Sequence, residues 1–218
     1  MHDLYIQAVT SEEPGSETPA TARERLKPLF PPGSARRMTH LGMLMGAVLS
    51  PLSPCEDDAI VYLSQFGESR TLEAYLDSFP TASPLQFQTS IHPSGVQQLF
   101  IGRHMPVGQF YPMAGDRQLV AQGLLTAALT GASRTLLCGG EERGSWLLEC
   151  DCASSETFAF AVALTSERGE GAALGKIRLE RGPLEEGLSL RAWARLLHAR
   201  SAYSGPSGSG WRLTLEWF

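Results

Sequence analysis

The run Ala59-Ile60-Val61-Tyr62-Leu63 constrains this chain more than any other feature: it is β-prone and apolar without a polar interruption. A strand with one wet face alternates, whereas a strand covered on both faces does not. Such a strand needs helices above and below it, and one is written just upstream. From about His40 to Leu49 nearly every residue is apolar, with Thr39 placed to cap and Pro51 to stop. A helix apolar all round is a buried one. Downstream, Leu72, Tyr75, Leu76 and Phe79 recur at helical spacing over Ser69 to Phe79. A further helix is predicted over Ser90 to His104, with Pro93 suited to its first turn. A short strand at Gly108 to Met113 leads into the tight turn Ala114-Gly115-Asp116. Leu119, Val120, Gly123, Leu124 and Ala127 then mark a tightly packed helix, and Thr135 to Gly140 reads as a strand ending in glycines. Strands alternating with helices predict an α/β fold with a parallel sheet.

The flanks read differently. Leu4 to Val9 is a short strand, and Ser11 to Arg37, with five prolines, reads as a surface excursion. Thr157 to Thr165 and Gly175 to Arg181 are expected as an antiparallel edge pair. A helix over Ser189 to His198 follows, and Trp211 to Trp217 alternates as a half-buried strand. The division expected is an α/β domain over 1–181 and a helix-strand extension over 182–218.

With 218 residues, 43% of them hydrophobic and 19% charged, the chain can bury a core without disulfides or metal. A net charge of −5 argues against electrostatic binding of nucleic acid. No apolar run reaches the roughly 18–20 residues that cross a bilayer, and the first residues do not read as a secretory signal. A cytoplasmic protein is expected. Cys55, Cys138, Cys150 and Cys152 include no Cys-x-x-Cys, and the histidines form no His-Glu-x-x-His, so neither a metal nor a cofactor is expected.

Four segments carry a resemblance. They are Ser34-Ala35-Arg36-Arg37-Met38-Thr39-His40-Leu41-Gly42, Tyr62-Leu63-Ser64-Gln65-Phe66-Gly67-Glu68, the run Ser83-Pro84-Leu85-Gln86-Phe87-Gln88-Thr89-Ser90-Ile91-His92, and Leu136-Leu137-Cys138-Gly139-Gly140-Glu141-Glu142. In this order they resemble the β-ketoacyl synthase N-terminal-like family, a divergent branch of the ketosynthases. The resemblance spans about Leu4 to Arg181. It implies a thiolase-like architecture of two α/β halves, each with a mostly parallel five-stranded sheet and three layers, in subunits that usually dimerise. This chain holds one half.

The resemblance also bears on chemistry. A condensing ketosynthase holds its acyl chain on a Cys at the turn before the central helix, and uses two polar groups, usually histidines, from its second half. Here the nucleophile position falls on or near Asp116, which cannot form a thioester, and the half with the histidines is missing. Asp116 is expected as a helix N-cap, or as a charge standing in for a thiolate. His92 and Ser94 are expected as helix-start signals and Cys138 as part of a strand. Those three are also the candidates for an unrecognised nucleophile or base. Arg36 and Arg37 read as a solvated or salt-bridged pair that could alternatively hold a phosphopantetheine phosphate. Cys150 and Cys152, beside Asp151, read as loop thiols rather than metal ligands. Arg191, Arg195 and Arg200 give a basic helix face that is solvated or docks an acidic acyl carrier protein. Trp211, Leu213, Leu215 and Trp217 share a face expected in a core or interface.

These readings converge on a non-catalytic ketosynthase-like accessory protein of fatty-acid, polyketide or aryl-polyene type biosynthesis. Its expected partners are a second copy or a ketosynthase, together with an acyl carrier protein. The alternative is a divergent acyl transferase or thioester hydrolase.

Overall fold

The computed structural model describes residues 1–168 and 172–218. In chain order the elements are β1 (His2–Glu12), α1 (Pro19–Leu26), α2 (His40–Leu49), β2 (Ala59–Ser64), α3 (Ser69–Asp77), α4 (Pro84–Thr89) and α5 (Ser94–Gly102). Then come β3 (Gln109–Ala114), α6 (Leu119–Leu129), β4 (Thr135–Glu141), β5 (Phe158–Thr165), β6 (Gly175–Arg181), α7 (Leu190–His198), β7 (Tyr203–Gly208) and β8 (Trp211–Trp217).

The strands form one eight-stranded sheet in the order β3-β2-β4-β5-β1-β6-β8-β7. Among the eight strands, only β2 with β3 and β2 with β4 pair in parallel, and every other described strand pairing is antiparallel. The expectation of a mostly parallel five-stranded sheet is therefore corrected to a larger mixed one. Helical crossovers make β3, β2 and β4 parallel, while β5 returns beside β4 without one. Nor do β5 and β6 form an edge pair. The N-terminal strand β1 lies between them, pairing Tyr5 with Thr165 on one side and with Lys176 on the other. A strand whose partners lie 147 or more residues away leaves no trace of its neighbours in local periodicity.

The sheet is the middle of three layers. Val61, Leu63, Leu137, Phe160 and Val162 face α6 and α7. Ile60, Tyr62, Leu136, Cys138 and the row Ala159, Ala161, Ala163 face α2 and α5. Continuous apolarity in β2 is thus explained by two covered faces, and all six of its residues are buried. The alanines of β5 lower the floor under α2, whose Gly42 and Gly46 allow close neighbours. A Cβ on Gly46 would collide with the Phe30 ring. That contact qualifies the reading of Ser11 to Arg37. Most of the segment is exposed, but Ala22, Leu26, Phe30 and Ala35 are buried under α2.

The C-terminal elements extend the same sheet. Trp211, Leu213 and Leu215 of β8 face the α6/α7 core, and Trp193 and Leu197 of α7 lie in it. The helix expected from Ser90 begins only at Ser94, and a separate helix, α4, precedes it.

Candidate functional site

The carboxyl ends of β2, β3 and β4 open at one rim of the sheet, the place where side chains on α/β folds converge. The amino ends of α2, α3 and α5 reach the same rim. Thr39 caps α2 by accepting from Gly42 N–H at 3.0 Å. One turn in, the Leu41 N–H donates to Glu142 Oε2, while Glu142 Oε1 lies 2.8 Å from Nδ1 of His40. Just beyond β2, Glu68 accepts from the Gly95 N–H at the start of α5 at 2.8 Å. Two carboxylates therefore sit at helix amino ends, where orphan N–H groups and the helix dipole favour negative charge. Glycine at 95 lets the carboxylate approach: a Cβ would stand 2.9 Å from Glu68 Oε1 and push it aside.

Between them lies Glu141, the last residue of β4. Its Oε1 accepts from the Ser64 hydroxyl at 3.0 Å and from the Gln65 N–H. Glu68, Glu141 and Glu142 are all buried, and the hydrogen bonds do not offset the loss of water for the first two. Burial pushes the Glu68 carboxyl up to about 8 and that of Glu141 up to about 7. Glu68 Oε2 and Glu141 Oε2 have no partner, which suits a protonated carboxyl. The fully buried Tyr62 ring stacks on His92 with centroids 5.0 Å apart. Burial also holds His92 below the usual histidine range, and neither ring nitrogen has a partner.

Four segments distant in sequence thus meet at one rim: His40 with Glu142, Ser64 and Gln65 with Glu141, and Tyr62 with His92. Each pair joins two of the four segments that carry the family resemblance. Apart from His92, a candidate base, these residues were legible only as motif letters with no site assigned to them. The available signal was a string of glutamates at the ends of otherwise apolar strands.

A fourth carboxylate locks the neighbouring loop. Glu73 of α3 accepts from the N–H groups of Ser145 and Leu147, the Ser145 hydroxyl and Arg70. Burial acts to raise it, but these four donors hold it below the usual carboxylate range. Beside this loop a cleft of about 580 Å³ reaches His40 and Glu142 from solvent, bordered by Arg70, Arg143 and Ser145.

The turn after β3 lies on the same rim. Gly115 adopts φ 154°, and Asp116 is exposed with a long contact of 3.4 Å from the Gln65 amide. Asp116 is not the N-cap expected from its position. Helix α6 starts at Leu119, Gln118 holds the cap position, and neither makes a side-chain capping bond. The C-terminal segment engages this stretch: Ser209 donates to Gln118 Oε1 at 2.7 Å, and Glu186 pairs with Arg117 at 3.0 Å.

The other sequence candidates do not join the rim's polar chemistry. Cys138 is fully buried against α2, and burial pushes its thiol far up. Ser94 is buried and donates to the Thr89 carbonyl, away from His92. Cys150, Cys152 and Cys55 are exposed free thiols, and no metal-binding group of three or more ligands occurs among the described residues. Arg36 and Arg37 are exposed. On α7, Arg191 pairs with Glu13 and Glu156 and Arg195 with Glu156, so those two charges of the expected basic face are already balanced.

A mixed sheet between two helical layers, with its polar site at the ends of the parallel strands, defines a three-layer α/β protein. The particular fold is that of the ketosynthases. The chain superposes with a TM-score of 0.68 on a chain from the complex of a ketosynthase (ApeO) with its chain length factor (ApeC) from Xenorhabdus doucetiae, at 21% identity, covering 99% of this chain and 100% of that one. It matches a structure of a type II acyl-carrier protein in complex with its ketosynthase (AntDE:AntF) with a TM-score of 0.56 at 13% identity, over 84% of this chain and 70% of that one. The ishigamide ketosynthase/chain length factor gives 0.54 at 10% identity, over 83% and 64%. No family model matches the sequence, and no curated protein matches it. No helix among the described residues is long and apolar enough to cross a membrane.

Proposed function

We propose that this chain is a non-catalytic ketosynthase-like subunit that works beside a full ketosynthase in polyketide-type synthesis, with fatty-acid and aryl-polyene type pathways as the neighbouring possibilities. One observation carries the reading. The turn Ala114-Gly115-Asp116, where the family resemblance puts the acyl-holding nucleophile, is exposed and offers a glycine and a carboxylate. Neither forms a thioester, and the buried Cys138 cannot take the role. The same half-length architecture spans the whole of a chain from a ketosynthase and chain length factor complex, which supports a heterodimer.

The partner face is the one carrying β3. This strand ends the sheet with an unpaired edge. On it Tyr111 is an exposed large apolar side chain. An open strand edge carrying an exposed aromatic side chain is a liability that a protein subunit covers. An acyl carrier protein would then meet the assembled pair.

Co-expression with the ketosynthase of the same host, followed by native mass spectrometry, tests this. A one-to-one complex is expected, with an acyl thioester labelling the ketosynthase chain and leaving this chain unlabelled. Labelling of this chain would sink the reading.

The second reading, a divergent acyl transferase or thioester hydrolase, draws on the His40–Glu142 pair beside the cleft, a base oriented by a carboxylate. Thioester hydrolysis by the isolated chain, lost in His40→Gln, would favour it.

A further inference from the structure

On the outer side of α5, away from the rim, two cavities adjoin. The first, about 510 Å³, is bordered by Arg37, Met38, Gln98, Ile101 and His104. The second, about 640 Å³, is lined by Phe100, Ile101, Val107 and Phe110 and also reaches His104. They share Ile101 and His104, so the two make one groove with a polar end and an apolar end. Each has the volume of a small-molecule site.

Two features of the polar end point to an anion. Gln98 uses its amide oxygen to accept from the Thr39 N–H at 2.8 Å, and its NH2 is a buried donor without a partner. Arg37 is exposed at the same end, and no ion pair among the described residues engages it. His104 adds a third nitrogen-bearing side chain. It holds φ 52° just past the end of α5, a left-handed position that favours glycine. Keeping a histidine there makes sense for the side chain it supplies. The apolar end has no such groups. Ile101 is 73% exposed and stands over the junction of the two cavities.

We propose that this groove binds a single-chain amphiphilic anion, of which a medium-chain fatty carboxylate is the simplest example. Arg37 holds the head group, and the chain lies over Phe100, Val107 and Phe110. A guanidinium suits a carboxylate, whose two oxygens accept in one plane. The groove meets β3 at its amino end, whereas the Asp116 turn follows its carboxyl end. Occupancy therefore does not depend on the non-catalytic reading.

Calorimetric titration of the full chain with decanoate below its micellar concentration tests this, with decyltrimethylammonium as the cationic control. Saturable one-to-one uptake of decanoate, and at least tenfold weaker uptake of the cation, are expected. Arg37→Gln should weaken decanoate at least tenfold and leave the cation unchanged, and Ile101→Glu should abolish uptake. Both side chains are exposed, so both variants should fold; circular dichroism checks this, and Ile101→Ser replaces Ile101→Glu if that one does not. No saturable uptake, equal uptake of the cation, or wild-type affinity in the Ile101 variant would each overturn the site.

Discussion

Ser64 and Glu141 lie 77 positions apart in the chain, yet the Ser64 hydroxyl donates to the Glu141 carboxylate at 3.0 Å. The bond ties the ends of the parallel strands β2 and β4, and it is made inside the protein. Glu68 is buried a few residues further on, and Tyr62, Glu142, His40 and His92 are the titratable groups of the same rim.

A pH dependence follows from these carboxyls. Burial raises Glu68 from 4.5 to about 8 and Glu141 from 4.5 to about 7. The folded state therefore holds protons that the unfolded state has released. The stabilisation is complete below about pH 4.5 and is lost as pH rises through 7 and 8, at up to about 1.4 kcal/mol per pH unit for each group. Urea unfolding between pH 5.5 and 9 should show stability falling with pH, and Glu68→Gln should flatten the upper part of that fall. A flat profile in the wild type would show the carboxyls to be ionised at neutral pH.

The paired glycines at the end of β4 give a second expectation. A Cβ on Gly139 would press on the Leu63 carbonyl of β2, and one on Gly140 would lie 2.6 Å from the Phe158 carbonyl of β5. Both obstacles are backbone, which cannot rotate away. Gly139→Ala and Gly140→Ala should each destabilise by about 1–3 kcal/mol, the cost of overpacking a close interior. Thermal unfolding against Gly102→Ala, whose Cβ would meet nothing within 4 Å, checks this.

Asp116 separates a structural from a chemical role at the turn. Its side chain is 71% exposed, and its ion pair with Arg117 spans 3.8 Å. Asp116→Ala should change stability by no more than about 0.5 kcal/mol, as surface substitutions do. It should leave the turnover of a partner ketosynthase within twofold. A tenfold loss of turnover in a folded variant would make the carboxylate a working group.

How much of this was legible in the sequence depended on how local the cause was. Helix α2 begins and ends where Thr39 and its apolar run predict, and the helix expected over Ser189 to His198 is α7, with Ser189 as its cap. Covering of β2 on both faces was also readable, because burial of each side chain is recorded in its own type. The place of β1 between β5 and β6 was not, since register over such separations is set by the whole sheet. The site behaved likewise. Asp116 looked like a cap because local chemistry favours aspartate there, but the helix starts later and Ser209 holds Gln118 instead. The buried glutamates were visible only as letters of a resemblance; their meeting needed three helices and two strands in place.

The partner face gives the last expectation. Tyr111 sits in the edge strand β3, opposite Val61 in register, and is 37% exposed. A ketosynthase docking along this edge would bury it, and aromatic anchors of this kind carry much of an interface's free energy. Tyr111→Glu leaves the α2 and α6 cores untouched, so the isolated chain should keep its unfolding midpoint. In the complex the same change places a charge in a dehydrated contact, and affinity should fall at least a hundredfold. Analytical ultracentrifugation of the mixed subunits reads this directly. Unchanged assembly would move the interface to another face, with the β7 edge on the far side of the sheet as the next surface to alter.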